Sequence, residues 1–167
     1  MYSNILELQK NITFRKGRTS KSFTAPFIFV KYVIHKRKQQ VYQREKYICS
    51  ILKKFDWCPK LLYSDDKNRI LIFNNVGVPV TSENKPKDFE KQFNKILSDM
   101  KSVNVQHNDI GREEILIDHQ GKVHLCDFGW ASLNERMGCG IGIWDCHHKD
   151  KPGGYADDSN TLSRLRL

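Results

Sequence analysis

The sequence contains no apolar run that approaches the roughly 20 residues needed to cross a bilayer. It has no secretory signal, and its 5 cysteines are an odd number. A secreted protein held together by disulfides is therefore not expected, whereas free thiols in a reducing compartment are. These absences predict a soluble intracellular protein, cytoplasmic or nuclear, without a membrane span.

Acidic residues are in the minority. The chain carries 19 Asp and Glu against 28 Lys and Arg, which is a formal net charge of +9. This balance favours acidic partners such as nucleotides, nucleic acids, phosphoproteins and anionic surfaces. Because the basic residues are scattered along the sequence, we favour a basic protein with a nucleotide pocket. Nucleic acid is the less favoured partner.

Two short apolar strands are predicted in the second half of the chain. Residues 115–117 and 123–125 flank a polar turn that ends in Gly121, which is the pattern of a β-hairpin. Such a hairpin would bring Asp109 and Asp127 together. Two carboxylates at one edge of a cleft, one to take a proton and one to hold a divalent cation, suit phosphoryl transfer from a nucleotide.

This part of the chain resembles the catalytic loop and the metal-binding loop of the protein kinase-like superfamily. Residues 107–109 read His-Asn-Asp, where the family has His-Arg-Asp or His-Gly-Asp, and residues 127–129 are an intact Asp-Phe-Gly. The order of the motifs and the strand pair between them also suit the family. The resemblance implies that Asp109 is the catalytic base, that Asp127 holds Mg²⁺ and that ATP is the phosphate donor.

One position in the catalytic loop departs from the family. Glu114 stands five residues after Asp109, where the family has an asparagine that holds metal. A carboxylate is a hard oxygen donor, so Glu114 could serve as a second metal ligand, although its full charge changes how tightly the metal binds.

A lysine within a predicted strand supports the same resemblance. The strand at residues 27–34 is rich in aromatic and β-branched side chains, and burying the ammonium of Lys31 there without a partner would be costly. In the family, this lysine holds the α and β phosphates; the alternative is a lysine that faces solvent. Glu45, on a helix predicted from about residue 39 to 55, is expected to pair with Lys31, unless it is an ordinary surface glutamate.

The loop expected to cover the phosphates has few glycines. Residues 15–22 stand where kinases have a glycine-rich loop, which brings backbone N–H groups close to phosphate oxygens. Gly17 is the single glycine there and the candidate cofactor-binding residue of this segment. The alternative is a solvated basic turn without a ligand.

The expected fold is α+β, a reduced two-lobed protein kinase-like domain that spans residues 1–167. A β-rich N-lobe and hinge would extend to about residue 78, with strands at 61–63 and 70–73, and a truncated helical C-lobe would follow from about residue 79. A helix is predicted from an N-cap at Asp88 to about Met100. The length leaves no room for the usual run of C-terminal helices.

The favoured function is transfer of the γ-phosphate of ATP to a hydroxyl of a protein or small molecule, as Ser/Thr kinases do. The altered glycine loop, Glu114 and the missing Ala-Pro-Glu segment leave open a pseudokinase that acts as a binding module. Gly111, where protein kinases usually have a lysine, favours a small-molecule kinase instead. Compact kinase-like proteins of large DNA viruses are similar in size and motif, so the host cell and the virion are further expected locations.

Overall fold

Five strands from the first half of the chain form one antiparallel sheet. The structure is a computed structural model that describes residues 12–16, 20–34, 39–133, 158 and 161–165. The strands are β1 (Thr13–Lys16), β2 (Ser20–Thr24), β3 (Ile28–Val33), β4 (Leu61–Asp65) and β5 (Ile70–Asn74). Their order in the sheet is β1-β2-β3-β5-β4. The predicted strand around Lys31 and the strands predicted at 61–63 and 70–73, which are β4 and β5, are therefore confirmed.

Shorter strands follow from residue 78 onward. They are β6 (Val78–Pro79), β7 (Val105–Gln106), β8 (Ile115–Ile117), β9 (Val123–Leu125) and β10 (Ser132–Leu133). The β8–β9 hairpin is the one predicted from the sequence; β6 pairs with β8, and β7 pairs with β10. With the helices α1 (Gln39–Leu52), α2 (Phe89–Ser102) and α3 (Thr161–Leu165), these strands make the protein α+β, as expected.

The two faces of the five-stranded sheet differ in chemistry, because successive side chains of a strand alternate between faces. Arg15, Ser22 and Lys31 are in register across β1, β2 and β3, and all three line a pocket. We call this side the inner face. Phe14 and Phe23 are in register on the outer face, with ring centroids 5.1 Å apart. The inner face is therefore the side on which a site can form.

Helix α1 packs with an apolar stripe and two charged residues toward the core. Tyr42, Ile48 and Leu52 are fully buried. Arg44 and Glu45 are buried as well, with no more than 2% of either residue exposed. The helix ends at residue 52 rather than near 55, since the chain then turns with hydrogen bonds from residue 55 to 52 and from 58 to 55. Buried charges on a helix need partners, and these two find them in the site described below.

Helix α2 buries the predicted stripe. Phe89, Phe93, Ile96 and Met100 are its buried residues, and they join the core beneath β7 and β9. Asp88 occupies the N-cap position as predicted, but its side chain does not cap the helix. Its Oδ1 instead accepts a hydrogen bond from Gln92 Nε2 at 2.9 Å, because its backbone conformation is not the extended one that directs a side chain to the helix N–H groups.

Among the glycines that the structure describes, Gly77 is the one whose replacement the fold tolerates least. Its φ is +147°, and a Cβ there would overlap the carbonyl oxygen of Ile117 and lie 2.6 Å from the carbonyl carbon. Gly121 also has a positive φ, +78°, but its nearest neighbour would be Pro86 Cβ at an ordinary 3.7 Å. The two glycines therefore separate the effect of backbone strain from that of overlap.

We expect Gly121→Ala to lower the free energy of unfolding by about 1–2 kcal/mol, through strain alone. Gly77→Ala adds overlap with backbone atoms that cannot move aside, so its loss is expected to be about 3 kcal/mol. Urea denaturation of both variants measures the difference. Equal losses would show that the chain around residue 117 moves aside and that the close approach of Gly77 to the Ile117 carbonyl group is not required.

Within the ranges given above, the structure has no helix that is both long and apolar enough to cross a membrane.

Candidate active site

Lys31 lies between two carboxylates. Its side chain is 3% exposed, and its Nζ atom is 2.7 Å from Glu45 Oε2 and 2.7 Å from Asp127 Oδ1. Glu45 is buried as well, whereas 44% of the Asp127 side chain remains accessible. The predicted Lys31–Glu45 ion pair is confirmed. The alternatives of a solvent-facing Lys31 and a surface Glu45 are wrong.

These three groups shift one another's proton equilibria. Burial alone would lower the pKa of Lys31, but the charges of Asp127 and Glu45 outweigh it and raise that pKa well above its ordinary value. Burial raises the pKa of Glu45 to about 7, while the charge of Lys31 acts against the rise. Burial would also raise the pKa of Asp127, yet Lys31 holds it below its ordinary range. Lys31 therefore stays a cation, and Asp127 stays an anion, at neutral pH.

The segment that carries Asp127 is attached to α1. Asp127 has left-handed backbone angles (φ 63°, ψ 68°), and its Oδ1 accepts a hydrogen bond from the Gly129 N–H at 3.3 Å. The carbonyl oxygen of Gly129 accepts one from the buried Arg44 Nη1 at 2.8 Å. A Cβ at residue 129 would lie 2.7 Å from Val41 Cγ1, so only glycine lets α1 come this close. Arg44 thus holds the Asp127 segment against the helix that carries Glu45.

The ring of His107 connects the two segments that carry the aspartates. It is fully buried, and its Nε2 atom is 2.8 Å from the carbonyl oxygen of Cys126. Because a carbonyl oxygen only accepts, Nε2 carries the proton, and Nδ1 then accepts from the Asp109 N–H at 3.3 Å. Burial lowers the pKa of His107, which keeps the ring in this neutral form. One imidazole therefore sets the position of Asp109 relative to the residue before Asp127.

Asp158 supports the same loop from a distant part of the chain. Its carboxylate accepts hydrogen bonds from the backbone N–H groups of His107 at 2.6 Å and of Asn108 at 2.9 Å. Asn108 has a left-handed φ of 67°, a conformation that asparagine tolerates better than most residues. Its Nδ2 donates to the Trp130 carbonyl oxygen at 3.0 Å and to Ser132 Oγ at 3.1 Å. The loop before Asp109 is therefore fixed on both sides.

Glu114 lies close to both aspartates. Its Oε2 accepts a hydrogen bond from the Gly111 N–H at 3.0 Å, and a Cβ at residue 111 would lie 2.9 Å from that oxygen. Burial raises the pKa of Glu114 to about 7, and the negative charges of Asp127 and Asp109 act in the same direction. The small residue at position 111 thus lets Glu114 turn inward, where it takes up a proton near neutral pH.

Asp127 and Glu114 are the predicted metal ligands. Among residues 12–16, 20–34, 39–133, 158 and 161–165, no group of three or more His, Cys, Asp and Glu side chains is arranged to hold a metal ion alone. Mg²⁺ usually takes one or two protein carboxylates and completes its shell with water and phosphate oxygens. The two hard oxygen donors fit that pattern. Their mutual repulsion, which adds to the effect of burial on the pKa of Glu114, is what a divalent cation would relieve.

An open pocket of about 640 Å³ leads to Lys31, Asp127 and Glu114. Its volume is within the roughly 300–1,000 Å³ typical of small-ligand sites. The rings of Phe29 and Phe73 line it with centroids 6.4 Å apart. All residues from 74 to 79, where the N-lobe and hinge are predicted to end, also line it. The pocket therefore combines apolar surface, a backbone edge and a charged end.

The structure brings most of the predicted site residues together. Lys31, Glu45, Asp127 and Glu114 all line the pocket. Asp109 is not a lining residue, but its charge acts on both His107 and Glu114. Gly17, the candidate in the phosphate loop, lies outside the described residues.

Sequence reasoning did not single out Asp158 or Arg44. Arg44 had only a weak signal, as a charged residue next to Glu45 on a predicted helix. Asp158 had none, because its partners are about 50 residues away and no short motif surrounds it.

Comparison with known proteins adds no relative: no family model matches this chain, and a search of curated proteins finds no match. The geometry of the site is therefore what indicates the function of this chain.

The raised pKa of Glu114 predicts a pH-dependent stability in metal-free buffer with EDTA. A carboxyl whose pKa is higher in the folded state binds more protons when folded, so its contribution to stability falls as pH rises from about 4.5 to about 7. We expect Glu114→Gln to match wild type near pH 4 and to exceed it by about 2–3 kcal/mol at pH 8. Urea denaturation of both proteins across this range measures the difference in their free energies of unfolding. The contributions of the other titrating groups cancel in that difference, because both proteins contain them. A difference that does not change with pH would contradict the prediction.

Proposed function

We propose that this protein is an ATP-dependent phosphotransferase with a reduced kinase-like fold. The five-stranded sheet and α1 are its N-lobe, and the elements from β6 onward are a truncated C-lobe. The proposal depends chiefly on Lys31, which is buried 2.7 Å from both Glu45 and Asp127 at one end of an open pocket. A buried ion pair is weak support for folding stability compared with apolar packing. Binding of a ligand rich in negative charge would give the buried lysine a function.

The inner face of the sheet supports a nucleotide as that ligand. Phe29 and Phe73 are in register in one cross-strand row, and Lys31 lies two residues further along β3, in register with Leu71. Residues two apart on a strand are separated by about 7 Å. Apolar surface for a base is thus offset along the strand from the cation for phosphates, as the base and phosphates of a nucleotide are offset by its ribose.

The roles of the individual residues follow from this placement. Lys31, positioned by Glu45, would contact the phosphate oxygens. Asp127 and Glu114 would hold Mg²⁺, which when bound offsets the charge of the phosphates. Asp109 would accept the proton of the acceptor hydroxyl as that oxygen bonds to the γ-phosphorus and ADP departs. The neutral His107 keeps the Asp109 loop in position for this step.

Phosphate transfer can be tested directly with γ-labelled ATP. The full chain is incubated with Mg²⁺ and either a mixture of Ser- and Thr-containing proteins or a mixture of small hydroxyl compounds. We expect label on one class of acceptor, with protein favoured, and none in EDTA. Bound ATP without transfer to any acceptor, the protein itself included, would contradict an enzymatic role.

A nucleotide-binding module without catalytic activity is the second candidate, and the electrostatics of Glu114 favour it. Without a metal between them, Glu114 and Asp127 would both repel phosphate oxygens. Glu114→Asn separates the two candidates. In an active enzyme it alters the metal dependence and lowers activity, whereas in an inactive module it leaves the protein inactive and tightens nucleotide binding in EDTA.

A further inference from the structure

Three side chains form one row across the first three strands of the sheet. Arg15 of β1 is in register with Ser22 of β2, and Ser22 is in register with Lys31 of β3. All three line the pocket. Neighbouring strands are about 4.8 Å apart, so the backbones of Arg15 and Lys31 are separated by roughly 10 Å. The row therefore presents two cations to the pocket with a hydroxyl between them.

Arg15 forms an ion pair across the pocket mouth. Its Nη1 contacts Glu113 Oε2, which belongs to the loop between Asp109 and β8, and both residues line the pocket. The two side chains are 61% and 64% exposed. Water and salt screen such a pair, so it contributes little to folding stability. The guanidinium is thus positioned at the pocket by a contact that a ligand can replace.

The other cation of the row has less charge to offer. Lys31 is already within 2.7 Å of two carboxylates, so its charge is largely balanced before a ligand binds. A polyphosphate in this pocket would also meet the carboxylates of Asp127 and Glu114. A second cation at the opposite end of the row is what such a ligand requires, and a guanidinium binds phosphate oxygens with two parallel hydrogen bonds.

We propose that Arg15 is a phosphate-binding residue of this pocket and that Glu113 holds its guanidinium in place until the ligand's phosphates replace the carboxylate. The inference rests on the proposed nucleotide-binding function. In a glycine-rich loop, several backbone N–H groups bind the phosphates. Residues 15–22 have a single glycine, at position 17, and the side chain of Arg15 would take over this task.

Substitutions of the two partners are expected to act in opposite directions. Arg15→Gln removes a charged donor to the phosphates, so ATP should bind about tenfold or more weakly. Glu113→Gln removes the competing carboxylate, so ATP should bind a few-fold more tightly, by about threefold. A pair that served only the fold would make both substitutions act alike. Arg15→Lys keeps the charge but cannot form the two parallel hydrogen bonds of a guanidinium. Its ATP affinity should lie between those of wild type and Arg15→Gln.

Lys16 provides the matched control. It is the next residue of β1, it is exposed, and its register partner is Lys21 on the outer face. Lys16→Gln removes the same charge from the same strand but from the opposite side. It should leave ATP affinity within about twofold of wild type, because screening weakens charges that are distant from the ligand.

The experiment is calorimetric titration of the full chain in Mg²⁺ with adenosine, ADP, ATP and inorganic tripolyphosphate. The loss in Arg15→Gln should be absent for adenosine and should grow with the number of phosphates. Tripolyphosphate should show the same dependence on Arg15 as ATP. Thermal melting of each variant checks that the fold is intact, as expected for exposed residues.

Equal ATP affinity in wild type and Arg15→Gln would overturn the inference and leave the proposed function standing. Equal losses for adenosine and ATP, or parallel losses in Arg15→Gln and Glu113→Gln, would overturn it as well, since the pair would then be structural. If wild type binds no ATP, the proposed function fails, and the dependence of tripolyphosphate binding on Arg15 still decides the inference. Tripolyphosphate binding that is the same in wild type and Arg15→Gln would overturn it in that case.

Discussion

Replacing Lys31 by Met is expected to lower the free energy of unfolding by about 3–5 kcal/mol and to abolish ATP binding. The stability is lost because Glu45, which is 2% exposed, would keep a buried carboxylate without its cation. ATP binding is lost because the phosphates would meet the carboxylates of Asp127 and Glu114 without the Lys31 ammonium to offset their repulsion. Chemical denaturation and titration with ATP in Mg²⁺ measure the two effects separately.

The double variant Lys31→Met and Glu45→Leu is the matched control. It removes both buried charges, and replacing a buried pair by apolar residues of similar size is often neutral or stabilising. We expect it to recover most of the lost stability while ATP binding remains absent. If the double variant binds ATP as wild type does, the pair serves the fold alone and Lys31 has no role in ligand binding.

The second large effect is expected from Asp109→Asn. An amide cannot accept the proton of the acceptor hydroxyl, so the rate of phosphate transfer should fall by about 10²–10⁴-fold. ATP affinity should change little, because Asp109 does not line the pocket. Single-turnover transfer of labelled phosphate and titration with ATP measure the two quantities.

Asp88→Asn makes the same chemical change at an exposed position, where the carboxylate contacts Gln92 on the first turn of α2. It should leave the transfer rate unchanged. A transfer rate in Asp109→Asn within a factor of a few of the control would remove Asp109 from the role of base. A comparable loss of ATP affinity would place it instead in the binding site.

The parts of this fold that were predictable are those whose pattern is local. Strand β3 follows from a run of aromatic and β-branched residues, and helix α2 follows from an apolar stripe with a period of about 3.6. The Lys31–Glu45 pair was predictable because a lysine within an apolar strand needs an anion, and the kinase resemblance pointed to Glu45 on the next helix. The end of α1 was predicted about three residues too late, since the turn at residues 52–58 depends on backbone hydrogen bonds that no periodicity reveals.

The contacts that could not be predicted join residues far apart in the sequence. Asp158 is 51 residues from His107, and Arg15 is 98 residues from Glu113. Each is a common charged residue in a polar segment, and only the folded chain shows which backbone or carboxylate it faces. The raised pKa of Glu114 has the same origin, because it depends on burial and on the neighbouring charges of Asp127 and Asp109.

The most direct test of a metal-assisted nucleotide site is the affinity of the full chain for ATP with Mg²⁺ and, in parallel, with EDTA. Lys31 alone cannot balance the phosphates against Asp127 and Glu114, so we expect binding in Mg²⁺ and at least about tenfold weaker binding in EDTA. No binding in Mg²⁺, or the same affinity under both conditions, would contradict the account.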